Sequence, residues 1–334
     1  MLYVTTTNRN DVYTPRHTLC RDRDKNGGLY VPFSEIRFSS EYILNLKEKS
    51  YGECISEILN LFFSTKLTGW EVDFSVGRKP VRLVAMNHKI LIGELFNNPG
   101  NAYTWIAGKL RDMVVPSGEL PPQLSQWTGI AVRIAILFGI FGELQRIGLV
   151  DSTRSMDISL AVDDFSGPMA VFYAKKMGLP VGNILFGCNE NSAMWDILHH
   201  GELHVHHPIV RTETPECDHN APSGLERLLY ERLGSHEAIR YRNTVDRKGL
   251  YSVSEEARAV LSEGFSGAVI SQKRLSSVIR NVYGTNRYSL DPYGALAFGA
   301  LQDFRATHNE VGPALILSDY APQRESQASK QTEG

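Results

Sequence analysis

Five histidines crowd the stretch HHGELHVHH, at positions 199, 200, 204, 206 and 207. Imidazoles at that density can ligate a transition metal, and His204 and His206 would share one face of an extended segment, because alternate residues of a strand point the same way. No set of cysteines or carboxylates accompanies them, so a solvated loop also accounts for the tract. A second candidate is the adjacent carboxylate pair Asp163 and Asp164 in DDFSG. Two acids in different environments can serve as acid and base. Neighbours at a turn usually diverge, however, and a helix cap ahead of Pro168 is the simpler use. Asn97, Asn98 and Asn101 in FNNPGN either line a pocket or satisfy turn backbone. Cys20, Cys54, Cys188 and Cys217 are scattered without CxxC spacing, which argues against a zinc knuckle or a disulfide framework.

The elements that must position these residues follow from pattern. At 334 residues, 42% hydrophobic and 22% charged, the chain suffices for about two domains and a sizeable core. Thirty-five basic and 37 acidic residues leave a net charge of -2, which gives no reason to expect nucleic acid or an anionic membrane as partner. The start, MLYVTTTNRNDVYTPRH, lacks the basic and apolar regions of a signal peptide, so the expected location is cytoplasmic. The most apolar run, WTGIAVRIAILFGIFGEL at 127–144, is interrupted by Arg133 and reads as a buried core helix, short of a clean membrane span. In SYGECISEILNLFFST the residues Ile55, Ile58, Leu59 and Phe62 fall on one helical face. SMDISLAV, DDFSG, PMAVFYAKKMGL and NILFGCN read as strand, turn, helix and strand, the succession of a βαβ unit. DPYGALAFGALQDFRA opens a helix with Asp291 as N-cap and Pro292 just inside. The tail from 319 to 334 is polar and aperiodic, and is expected to be disordered.

Five ordered stretches resemble the threonine synthase family, pyridoxal-phosphate enzymes of the tryptophan-synthase-β fold type. NGGLYVPF is similar to the family's DGGL-VP turn, and ELFNNPGNAYTW to ELFHGPT-AFKD. LAVDDFSGPMAVFYAKKMGLPVGNILFGCNEN resembles the GNFGN-type loop, its helix and the strand after it. TETPECDHNAPSGLERLLYE and DPYGALAFGAL resemble the family's PSNLER and DPHTA segments. The resemblance implies an α/β fold, a mainly parallel sheet flanked by helices, with a tryptophan-synthase-β-like large domain and a reduced small domain. It divides the chain into an N-terminal region 1–95, a small-domain remnant 96–126, a large domain 127–318 and the tail. The family activity is elimination of phosphate from O-phosphohomoserine followed by addition of water.

The departures from the family pattern concern the chemistry itself. Thr104 occupies the position of the lysine that forms the Schiff base, and a hydroxyl cannot replace an amine there. Lys89, Lys109, Lys175 and Lys176 stand elsewhere on their predicted elements. The phosphate loop has become DDFSG, and two carboxylates repel a phosphate dianion. Only VVPSGELPPQLSQ stands where the family carries a long segment with an SGDTG motif. Asn of PSNLER becomes Gly224, Thr of DPHTA becomes Gly294 and its His becomes Tyr293. Asn97, Asn98, Asn101, Asp163, Asp164, Ser166, Gly167 and Gly294 are thereby expected to form a vestigial pocket, open to a small amino-acid-like ligand and holding no pyridoxal phosphate. A binding or scaffold role in amino-acid or specialised metabolism is expected; the alternative is an enzyme on an amino-acid derivative, a lyase or one using cofactor-free chemistry. Loss of the small lobe should bare an apolar face beside Ile130, Ile134 and Leu137, for a second copy or another protein to cover. Glu226 and Arg227 in LERLL are expected to pair with each other.

Overall fold

The computed structural model describes residues 1–77, 81–95, 106, 108–110, 112, 125–151, 154–308 and 312–322. The chain opens on strands β1 (Tyr3–Thr5), β2 (Asn8–Tyr13) and β3 (Tyr30–Pro32), antiparallel in the order β2-β1-β3. Helix α1 (Tyr51–Phe63) starts in a capping box: the Ser50 hydroxyl accepts from the Glu53 amide, and the Glu53 carboxylate accepts from the Ser50 amide. Its face of Ile55, Ile58, Leu59 and Phe62 is buried, as the spacing predicts. Strands β4 (Arg82–Asn87) and β5 (Ile90–Glu94) form an antiparallel hairpin. Helix α2 (Gln126–Arg146) is capped by Ser125, whose hydroxyl accepts from the Thr128 amide at 3.1 Å.

The predicted βαβ unit is β6 (Met156–Ala161), α3 (Ser166–Lys176) and β7 (Val181–Cys188), with the two strands parallel. There follow β8 (Glu202–His204), α4 (Gly224–Leu233), α5 (Ser235–Lys248), β9 (Leu250–Ser252), β10 (Phe265–Val269), α6 (Gln272–Asn286), α7 (Pro292–Thr307) and β11 (Ala314–Ser318). The central sheet has the order β10-β7-β6-β11-β5-β4, parallel except for β4. Strands from the first 95 residues thus extend the sheet built by the large domain, so residue 95 does not separate two sheets. This is the α/β arrangement expected from the sequence, with near-continuous apolar strands because both faces are covered.

Helix α2 has the length and hydropathy of a membrane span, but 83% of its most apolar window is buried within the protein. It packs against α1 and α3, and Trp127 meets Tyr3, Phe62 and Tyr173 edge-on. Ile130, Ile134 and Leu137 are at most 1% exposed. The bare apolar face expected there is therefore absent: α2 is covered by its own chain, and the argument for an interface at those three residues falls.

Candidate functional site

Ligands of open parallel sheets sit outside the carboxyl ends of the strands, and here that edge is acidic. Strand β6 runs into Asp163 and Asp164, β11 ends on Ser318 with Asp319 next to it, β5 ends on Glu94, and the start of α7 brings Asp291 and Gly294. Asp164 Oδ1 accepts from the Ser166 amide at 2.9 Å, and its Oδ2 accepts from the Ser223 hydroxyl at 3.2 Å and from the Gln126 side-chain amide. Burial works to raise its ionisation, but these bonds hold Asp164 below the ordinary carboxylate value. Among the described residues the Asp163 Oδ1 is buried with no hydrogen-bond partner, and burial, with the neighbouring Asp164 carboxylate, pushes the Asp163 carboxyl up to about 7 against the pull of Arg133. Asp164 thus ties down the start of α3 through the Ser166 amide, while Asp163 stands apart from those donors.

The loop itself is clamped. His219 Nε2–H donates to the Asp163 carbonyl at 2.6 Å, and the Gly224 amide donates to the Asp164 carbonyl at 2.8 Å. Phe165 adopts a left-handed backbone (φ 69°) at the start of α3, held by ring packing against Phe186 and Phe265. A Cβ on Gly167 would stand 2.7 Å from Leu160 Cδ1, so strand and helix meet closely there. Across the edge, Asp291 Oδ1 accepts from the Tyr293 and Gly294 amides, and its Oδ2 accepts from the Ser318 hydroxyl at 2.9 Å. Tyr293 stacks on Tyr320 at 4.2 Å.

Several members of this site were not identified from the sequence. Arg133 donates to both carboxylate oxygens of Asp319 at 2.8 Å; its signal was the lone cation in an apolar helix. Asp319 and Tyr320, assigned from the sequence to a disordered tail, belong to the site, which corrects that boundary; residues 323–334 lie outside the described residues. Gln126 links the Asp164 carboxylate to Arg227, whose Nη1 donates to the Gln126 side-chain oxygen. Arg227 is fully buried, while Glu226 accepts from Thr6 and Arg23. The expected Glu226–Arg227 pair is thus replaced by two separate sets of partners, because successive helix positions face different neighbours.

The histidine tract gathers in part, with His200, His204 and His207 lining one cavity. His204 lies 3.6 Å from the Glu202 carboxylate, His206 packs on Gly249, and His199 stacks on Trp195. Among the described residues no three His, Cys, Asp or Glu side chains are grouped to hold a metal. Cys54, Cys188 and Cys217 are buried free thiols, pushed up by burial and so poor nucleophiles. Lys109 pairs with Glu71, Lys175 donates to the Gly182 carbonyl, and Lys176 bridges Glu35 and Glu231. Lys89 precedes β5 and so lies at the opposite end of the sheet. Asn97, Asn98, Asn101 and Thr104, with most of the 96–126 segment, lie outside the described residues.

No family model matches the sequence. Threonine synthase-like 1 of Homo sapiens is 21% identical over 174 residues, 51% of this chain and 23% of that protein. Threonine synthase of Saccharomyces cerevisiae is 25% identical over 162 residues, 44% of this chain and 32% of that protein. Over about half its length the chain is similar in sequence to threonine synthases. Its matched part spans about a quarter to a third of these curated relatives. The solved structure of pyridoxal-phosphate-bound threonine synthase from Brucella melitensis superposes with a TM-score of 0.79 at 17% identity, covering 96% of this chain and 89% of that one. Yeast threonine synthase superposes with a TM-score of 0.81 at 15% identity, covering 96% and 87%. Both share the fold.

A cradle for a cofactor phosphate needs free amides at a helix start. At the start of α3 the Ser166 amide is taken by Asp164, and Pro168 has no N–H, which leaves the amide of Gly167. A dianion brought to this loop meets the Asp163–Asp164 pair. The loop does not fit a phosphate group.

Proposed function

We propose that this chain is a divergent member of the threonine synthase family that works without pyridoxal-phosphate catalysis, as a binding or scaffold protein of amino-acid or specialised metabolism. The observation that supports this most is the Asp164 carboxylate on the Ser166 amide, a protein group in the place where the family holds a ligand phosphate. Thr104 at the family's lysine position points the same way. One observation favours a second reading, an enzyme using cofactor-free acid–base chemistry on an amino-acid derivative: Asp163 is a carboxyl poised to exchange a proton near neutrality.

Incubating the purified chain with pyridoxal phosphate, reducing with borohydride and mapping the peptides by mass is expected to give scattered surface labelling. A single stoichiometric adduct on one buried lysine overturns the proposal. Thr104→Lys alone is expected to leave a threonine auxotroph without growth, since amine, phosphate cradle and ring partner act as a unit whose losses are not additive. Growth of that strain would show that the remaining site still supports the family reaction. Turnover of an amino-acid derivative, abolished in Asp163→Asn, would decide for the enzyme.

A further inference from the structure

Away from the sheet edge, a cavity of about 380 Å³ opens between the N-terminal strands and the helices α3, α4 and α5. That volume lies within the range of small-molecule pockets, roughly 300–1,000 Å³. Its inner wall is apolar, with Phe62 and Met177 buried and Ile36 beside them. Its charged groups, Arg9 and Lys176 against Glu35 and Glu231, are equal in number but unevenly paired. Lys176 is matched by Glu35 at 2.7 Å and Glu231 at 2.8 Å, and Glu231 also accepts from the Tyr173 hydroxyl at 3.0 Å. Arg9, on β2, also lines the cavity, and among the described residues no acidic partner is found for it. It lies near the half-buried Tyr230: burial raises that phenol's ionisation, and the positive charge of Arg9 pulls it down. No hydrogen-bond partner is found for the Tyr230 hydroxyl among the described residues either.

Gly234 and Ser235, at the start of α5, line the same cavity. Among the described residues no side chain caps this helix, and a Cβ on Gly234 would meet open space. The helix start therefore adds unshielded amide dipoles to the positive charge of Arg9. An unmatched guanidinium, a free phenol and an apolar wall in one ligand-sized cavity are complementary to an anion with an apolar body.

We propose that this cavity binds a small organic anion, with its carboxylate or phosphate held by Arg9 and the Tyr230 hydroxyl and its apolar body laid against Phe62 and Ile36. The site is separate from the acidic strand edge and selects the opposite charge. It offers the chain a second ligand whose binding does not depend on the fate of the phosphate loop.

The test is calorimetric titration of the full chain with phenyl phosphate, with 3-phenylpropionate and with inorganic phosphate. Saturable one-to-one binding of phenyl phosphate or 3-phenylpropionate is expected, weakening as salt rises, and the tighter of the two identifies the anionic group. Inorganic phosphate, lacking the apolar body, should bind more weakly than phenyl phosphate. Arg9→Gln should weaken binding about tenfold or more, the worth of one charge-assisted hydrogen bond, and Tyr230→Phe should weaken it by a smaller factor. Arg9 is exposed on a short outer strand, so its replacement should keep the fold, checked by an unchanged melting temperature. Absence of saturation by either aromatic probe at about 10 mM, where even millimolar sites fill, overturns the proposal. So does binding that Arg9→Gln leaves unaltered.

Discussion

Gly224→Asn is expected to destabilise the protein by about 3 kcal/mol, although asparagine is what the family pattern PSNLER carries there. A Cβ on Gly224 would stand 2.8 Å from the Phe165 carbonyl carbon and 2.9 Å from the Asp164 carbonyl oxygen. Both are backbone atoms, in a loop fixed by its own hydrogen bonds, so neither can swing aside as a side-chain end would. The larger amide must push the loop outward, stretching the 2.8 Å bond from the Gly224 amide to Asp164 and loosening the Asp164 cap on α3. A fall in melting temperature of about 4 °C is expected. Gly224→Ala should show a smaller loss of the same origin. Replacing Asp163 by Gly and Asp164 by Asn in the same chain should soften the penalty, with a coupling of about 1 kcal/mol or more in a double-mutant cycle. An unchanged melting temperature in Gly224→Asn would show that the loop yields freely and that the two departures from the family pattern are independent.

That coupling also explains which features could be read from the sequence. The βαβ unit, the amphipathic α1 and the Asp291 cap rest on local periodicity and on residues within one turn of each other, and these were legible. Asp163 and Asp164 stood out because the loop departs from the family pattern at those positions. Gly224 reads in the sequence only as a lost asparagine, since its necessity comes from the backbone of Asp164 and Phe165, brought close by tertiary packing. Arg133 and Asp319 are 186 residues apart, and Gln126 joins Asp164 to Arg227 across gaps of 38 and 101 residues. No window of sequence contains such pairs. Asp319 was lost to the tail because polarity without periodicity reads as disorder, whereas a single ion pair to a cation from a core helix is enough to bring it into the site.

Asp163→Asn is expected to make the protein more stable at neutral and alkaline pH, with a gain that shrinks towards acid. The sign follows from proton counts. Asp163 is raised in the folded protein from the ordinary 3.8 to about 7, so between these values the folded chain keeps a proton that the unfolded chain has released, and stability falls as pH rises. The full rise corresponds to at most about 4 kcal/mol, complete above about pH 7. Asp164 works in the other direction: its ionisation is lowered, so its contribution is present above the ordinary carboxylate value and disappears only as the pH falls below it. The two adjacent acids thus act in different windows, and removing Asp163 isolates one of them. The asparagine keeps the shape and adds a donor for the Asp164 carboxylate. Denaturant unfolding of both proteins at pH 5 and pH 8 should show a larger advantage for the variant at pH 8, by about 2 kcal/mol. Equal differences at the two pH values would mean that Asp163 ionises normally in the folded chain, and with that the acid–base reading of the site would lose its proton.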